Sequence, residues 1–132
     1  MSNQSIAELE KLAVQALDHG NLFEAVKYFR ICIEQSTSFS ERSYFLRWIA
    51  RTQEAEGRFD EARSTLEIAR TIDPTPWTEI AIGHLSSRRR DSNGVRRCLE
   101  AVRLKHRDML ASDSYASNAL KQELNELERS FN

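Results

Sequence analysis

Arginine is the residue type whose number and spacing promise chemistry in this chain. Arg47 and Arg51 stand four residues apart, and Tyr44 lies three before the first. On a helix that spacing puts all three on one face, opposite Leu46 and Ile49. A guanidinium presents a planar fork of donors, so it grips a carboxylate with two parallel hydrogen bonds. A second basic group follows. From Trp77 to Arg107 there are eight basic residues against three acidic ones, and the last 25 residues carry five acidic against two basic. A basic run of this kind attracts phosphate or carboxylate. No Phe, Tyr or Trp lies between Arg88 and Arg107, so interleaved aromatics are missing. The expected reading is a solvated face, partly neutralised by the acidic last helix. An acidic protein partner ranks next, and nucleic acid last.

Other reactive types lack the arrangements that reactions need. His19, His84 and His106 have no ligand spacing among themselves or with the cysteines. His19 and His106 fall near helix C-termini, where the helix dipole favours a cationic imidazole. Cys32 and Cys98 lie in different predicted helices, without a CxxC spacing, and read as small buried thiols in a reducing compartment. Neither a nucleophile–base pair, nor a phosphate-binding glycine loop, nor a set of facing carboxylates is present. The chemistry on offer is therefore recognition, with no catalysis, metal or cofactor expected.

The elements that hold these arginines are helices. The 132 residues fit one domain, 40% hydrophobic and 30% charged, as in an ordinary soluble protein. Only 4 Gly and 2 Pro leave little room for a turn-rich β fold. A formal charge of −1 gives no global pull toward nucleic acid or membrane. Met1 to Val14 shows no signal-peptide pattern, and no apolar run nears the roughly 20 residues of a membrane span. A cytoplasmic location fits.

Apolar periodicity predicts seven helices. The first runs from about Ser5 to His19, with Ser5 and Glu8 as a capping box and Gly20 as its stop. The second runs from Leu22 to Gln35, burying Ala25, Phe29, Cys32 and Ile33. The third runs from Ser40 to Glu56, begun by Ser40 or Glu41, and is rich in aromatics at Tyr44, Phe45 and Trp48. Trp48 is expected to pack between helix pairs. The fourth spans Phe59 to Thr71 and closes at Asp73-Pro74. The fifth runs from Trp77 to Arg89 after Pro76, with Trp77 seating it. A turn over Arg90 to Gly94 leads to the sixth, Val95 to His106. The seventh, Ser114 to Phe131, carries Leu120, Leu124 and Leu127 on one face and caps the array.

Two segments repeat. Gly20-Asn21-Leu22-Phe23-Glu24-Ala25 and Gly57-Arg58-Phe59-Asp60-Glu61-Ala62 share a Gly, polar, apolar, any, Glu, Ala pattern, 37 residues apart. Around them Leu9, Ala13, Phe29 and Cys32 match Leu46, Ala50, Leu66 and Ala69. On these residues the chain resembles the tetratricopeptide-repeat family, whose helix–turn–helix unit has roughly 34 residues. The second repeat ends on the family's Pro, at Pro74, whereas Thr37 replaces it in the first, with about three extra residues between repeats. The third pair departs further, since Leu99 stands five after Gly94 where the family has Ala.

The resemblance implies an all-α fold, a short right-handed superhelical solenoid of antiparallel helix pairs. It would form a single domain over 1–132. Its repeats would cover about 5–38, 40–74 and, degenerate, 76–107, with a capping helix at 114–131. It also implies a concave groove lined by the first helix of each pair. Carried over by position, Val14 and Leu17 would form an apolar end, Tyr44, Arg47 and Arg51 the middle, and Leu85 and Arg88 the far part. Glu10 and Val14 stand where some members use Lys and Asn to clamp a C-terminal carboxylate, which disfavours a chaperone-tail receptor. The implied function is a non-catalytic adaptor or small chaperone that holds an acidic or amphipathic segment of another protein, with homodimerisation possible. The alternatives are an immunity- or antitoxin-type inhibitor of an enzyme, and a nucleic-acid-associated regulator using the basic 88–107 surface.

Overall fold

The computed structural model describes residues 4–130, and among them every regular element is an α-helix. The order is α1 (Ile6–Asp18), α2 (Leu22–Gln35), α3 (Phe39–Ala55), α4 (Phe59–Ile72), α5 (Pro76–Arg88), α6 (Ser92–Lys105), α7 (Arg107–Ala111) and α8 (Tyr115–Arg129). Helices adjacent in sequence pack as pairs. The chain divides into two compact units, Met1–Asp73 and Pro74–Asn132.

The first unit is two helical hairpins, α1–α2 and α3–α4, joined by packing of α2 on α3. Its core takes Leu9, Ala13 and Ala16 from α1, Ala25, Phe29 and Cys32 from α2, and Phe45 and Ile49 from α3. Phe29 lies fully buried between the hairpins, stacked on Trp48 at 5.5 Å and 6.4 Å from Phe45. Trp48 thus packs between pairs, as its place on the apolar stripe predicts. The α3–α4 pair closes on Ala50, Ala62, Leu66 and Ala69, all buried. Small residues at these crossings let the helix axes approach.

The second unit is the α5–α6 hairpin with α8 laid against both helices. Val95, Cys98, Leu99 and Val102 of α6 meet Ile80 of α5 and Leu120, Leu124 and Leu127 of α8. Trp77, Met109 and Leu110 pack around this cluster. The extra helix is α7, which follows α6 directly after His106. Its Met109 and Leu110 join the core, which gives the short segment a reason to fold where a plain connection is predicted.

Local chemistry sets the boundaries. Ser5, Ser38, Thr75 and Ser114 are N-caps whose hydroxyls accept from backbone N–H groups three residues on. Ser38 caps α3 by accepting from the Glu41 N–H at 3.1 Å, so that helix starts earlier than Ser40. Asp73 ends α4 in an extended conformation, as the following Pro74 requires. The end of the last predicted helix, Phe131, lies outside the described residues.

The hairpin turns share one construction. Gly20 and Gly57 both have φ +76°. Around each, the N–H of the next residue reaches the carbonyl five back: Asn21 to Ala16 at 2.7 Å and Arg58 to Gln53 at 2.9 Å. The glycines' own N–H groups bond to Leu17 and Glu54 at 3.0 and 2.9 Å. This is the Schellman closure of a helix. The third hairpin has it too, with Arg90 in the glycine's place at φ 57°. Asp91 N–H bonds to Ser86 at 2.8 Å, and Arg90 N–H to Ser87 at 3.0 Å.

This corrects the third repeat. The residue that matches Gly20 and Gly57 is Arg90, not Gly94, and the turn is no longer than its sisters. Counting five on from each turn residue gives Ala25, Ala62 and Val95, all buried, so Val95 and not Leu99 holds the alanine position. Counting seven back gives Ala13, Ala50 and Gly83. Gly94 lies inside α6, where its N–H bonds to the Asp91 carboxylate at 3.0 Å. A Cβ there would come within 2.5 Å of Ser86 Oγ, so its glycine serves close helix approach.

A non-glycine residue in the left-handed region carries strain of roughly 1–2 kcal/mol. Arg90→Gly is expected to stabilise the protein by about 0.5–1 kcal/mol, and Gly57→Ala to cost about 1 kcal/mol. Urea titration followed by circular dichroism measures both. A destabilised Arg90→Gly would show that the arginine side chain outweighs the backbone strain.

Candidate partner-binding site

Within the first unit, a polar contact ties α1 to α3. The Tyr44 hydroxyl donates to Glu10 Oε2 at 2.8 Å. Burial raises the Tyr44 phenol above its ordinary range, and the Glu10 carboxylate adds to the effect. The phenol is then the neutral donor that Glu10 needs. Tyr44 also meets Phe45 edge-on at 5.1 Å, which fixes the ring from the core side.

Along α3, Tyr44, Arg47, Trp48 and Arg51 fall at i, i+3, i+4 and i+7, one stripe of a helix. The Arg47 guanidinium carbon lies 5.8 Å from the Tyr44 ring centre. That of Arg51 lies 5.2 Å from the centre of Trp48. Arg42 repeats the relation over Phe39 at 5.8 Å. Three times on one helix an aromatic residue stands three before an arginine. Each such stack is worth roughly 0.5–1 kcal/mol at an exposed site. Its larger consequence is that it narrows the rotamers the arginine side chain samples.

The two arginines differ in setting. Arg47 is half-buried, and burial lowers its pKa, opposed by the attraction of Asp73. It donates to Ser43 Oγ at 3.4 Å, and Ser43 donates in turn to the Ala69 carbonyl at 3.3 Å, so α4 anchors it. Arg51 is exposed. One guanidinium is thus set into the surface and the other stands on it, one turn apart.

The remaining residues named from sequence divide. Val14 and Leu17 are half-buried and pack against the first unit's core, which uses part of their apolar surface internally. Leu85 is 2% exposed and presents nothing to solvent, which corrects its place in a groove. The reason is that eight of the thirteen residues of α5 are buried, so this helix keeps little open face. Arg88 is exposed and belongs to the second unit. Sequence reasoning missed the aromatic–arginine ladder, although Phe39/Arg42, Tyr44/Arg47 and Trp48/Arg51 share a readable spacing of three.

On the second unit, acidic residues of α8 meet basic partners. Glu123 Oε2 lies 2.7 Å from His84 Nε2, and Glu128 pairs with Arg103. Both thiols are buried. Cys98 Sγ donates to the Glu79 carbonyl at 2.9 Å. Burial, reinforced by Glu10 near one and Glu79 near the other, pushes Cys32 up to about 11 and Cys98 up to about 12. Among the described residues no group of three His, Cys, Asp or Glu side chains could hold a metal ion, and no helix is long and apolar enough to cross a membrane.

No protein-family model matches the chain, and no curated protein matches it.

The thiol settings give a test of the packing. An aromatic disulfide reagent at pH 8 is expected to label neither cysteine quickly in the native protein, and both at once in urea. Because each folded-state value lies above the ordinary 9.0, the folded chain keeps thiol protons that the unfolded chain releases. Stability should therefore be whole below pH 9 and fall as pH rises through about 11 and 12. Cys32→Ala/Cys98→Ala should flatten that fall. Fast native labelling at pH 8 would show the cores to be open.

Proposed function

We propose that the protein is a non-catalytic interaction module of the tetratricopeptide type. In this reading an acidic or amphipathic segment of a partner protein lies on the α1–α3 face of the first unit. The observation that carries it is the pair of ring-stacked guanidiniums, Arg47 and Arg51, one turn apart and braced by the Tyr44–Glu10 contact. Two cations held in place in this way lose little conformational freedom when they meet two carboxylates. Charge-assisted hydrogen bonds to them contribute roughly 1.5–3 kcal/mol each.

Val14 and Leu17, half-buried on α1, leave part of their surface for an apolar contact. Leu85 has no part in it, and Arg88 lies outside the site. The three equivalent turns, with Ala13, Ala50 and Gly83 before them and Ala25, Ala62 and Val95 after, support the repeat assignment. The size and build suit a cytoplasmic adaptor or small chaperone, and homodimerisation through the same face is an outcome the reading allows.

The test is an affinity pull-down from native lysate with wild type, Arg47→Glu/Arg51→Glu and Arg47→Lys/Arg51→Lys. A protein retained by wild type should be lost by the glutamate variant, with affinity reduced about 10- to 100-fold. The lysine variant should fall between, because it keeps the charge and loses the fork. Equal retention by all three would remove the α3 face from the account.

A further inference from the structure

The second unit carries a charged surface that the α1–α3 site does not use. Val95, Cys98, Leu99 and Val102 take the buried side of α6. The exposed side carries Arg96, Arg97, Glu100, Arg103 and Leu104, with Arg103 paired to Glu128 of α8, and Arg107 follows the break at His106 as the first residue of α7. Arg96, Arg97 and Arg107 are exposed and form no ion pair among the described residues. Leu104 stands among them 76% exposed, a large apolar side chain in a cationic setting.

We propose that this outward face of α6 is a second docking surface, and that its occupant is an acidic amphipathic helix of another protein. Charge complementarity names the acidic partner: Arg96, Arg97 and Arg107 offer exposed cations to its carboxylates. Leu104 distinguishes a protein from a nucleic acid. A phosphate backbone gains nothing from covering a leucine, whereas an apolar stripe on a helix does. Glu100, in the middle of the face, repels phosphate but can be met by a basic or polar side chain of a protein. The hairpin already holds such a helix. There α8 buries Leu120, Leu124 and Leu127, while its Glu123 and Glu128 meet His84 and Arg103. Beyond the Arg103–Glu128 pair, the exposed residues of α6 repeat those ingredients.

The experiment uses the full chain labelled with 15N and two probes. One is a designed helical peptide of about 18 residues with a leucine stripe flanked by glutamates. The other is a DNA duplex of random sequence. The peptide is expected to shift amide signals within residues 92–107. Arg96→Glu/Arg97→Glu should weaken it at least tenfold and Leu104→Ser severalfold, with Arg47→Glu/Arg51→Glu leaving it unchanged. That last variant separates this surface from the α3 site, so either can fail alone. Absence of peptide binding would overturn the proposal, as would shifts confined to residues 44–51. Tighter binding of the duplex, steeply salt-dependent and indifferent to Leu104→Ser, would overturn it in favour of phosphate.

Discussion

A helix that must reverse within three residues leaves its last carbonyls without partners, and that constraint shapes this protein. The solution is the same at each of the three hairpins. One residue enters the left-handed region, and the N–H after it returns to the carbonyl five back. Closing the turn so tightly fixes the register of the returning helix against the first. Seven residues before the turns stand Ala13, Ala50 and Gly83 and five after them Ala25, Ala62 and Val95, all buried, and a Cβ on Gly83 would come within 2.6 Å of Cys98 Sγ. Close axes let large side chains reach past the hairpin, and Phe29, Phe45 and Trp48 assemble between the pairs of the first unit.

The candidate site is a by-product of that packing. With Phe45 and Ile49 turned into the core, the neighbouring stripe of α3 must carry Tyr44, Arg47, Trp48 and Arg51 at the surface. The aromatic rings serve two masters. Trp48 stacks on Phe29 on behalf of the core and holds Arg51 on behalf of the surface. Tyr44 meets Phe45, supports Arg47 and reaches Glu10 on α1. In the proposed reading a partner's carboxylates would meet guanidiniums that lie over rings belonging to, or packed on, the core. The strength of any single stack is small, near RT, so its value is the ordering of a charged side chain that would otherwise sample many rotamers.

Much of this could be read from the residues alone. The helical pairs, the cap at Ser5 and the turn glycines of the first two hairpins follow from periodicity and elementary sterics. The third hairpin was obscured because its left-handed residue is an arginine, while a nearby glycine, Gly94, invites the wrong alignment. Only the backbone φ of 57° at Arg90 resolves which residue turns the chain. Leu85 misled for a different reason. Its position matches a surface site only if α5 has an open face, and the burial of Thr78, Glu79, Ile82 and Ser86 on that helix shows how little remains. The short α7 escaped notice because five residues carry no periodicity, and its folding rests on the tertiary packing of Met109 and Leu110.

The central claim is that α3 holds its arginines in place before any partner arrives. Proton NMR of the free protein tests it directly through ring-current shifts. If the stacks exist in solution, the δ-methylene protons of Arg47 and Arg51 resonate upfield of those in an unstructured peptide. Trp48→Leu should then return Arg51 toward the unstructured value while Arg47 keeps its shift. Unstructured shifts at both arginines in the wild-type protein would contradict the account, since the guanidiniums would then be free side chains on an ordinary solvated helix.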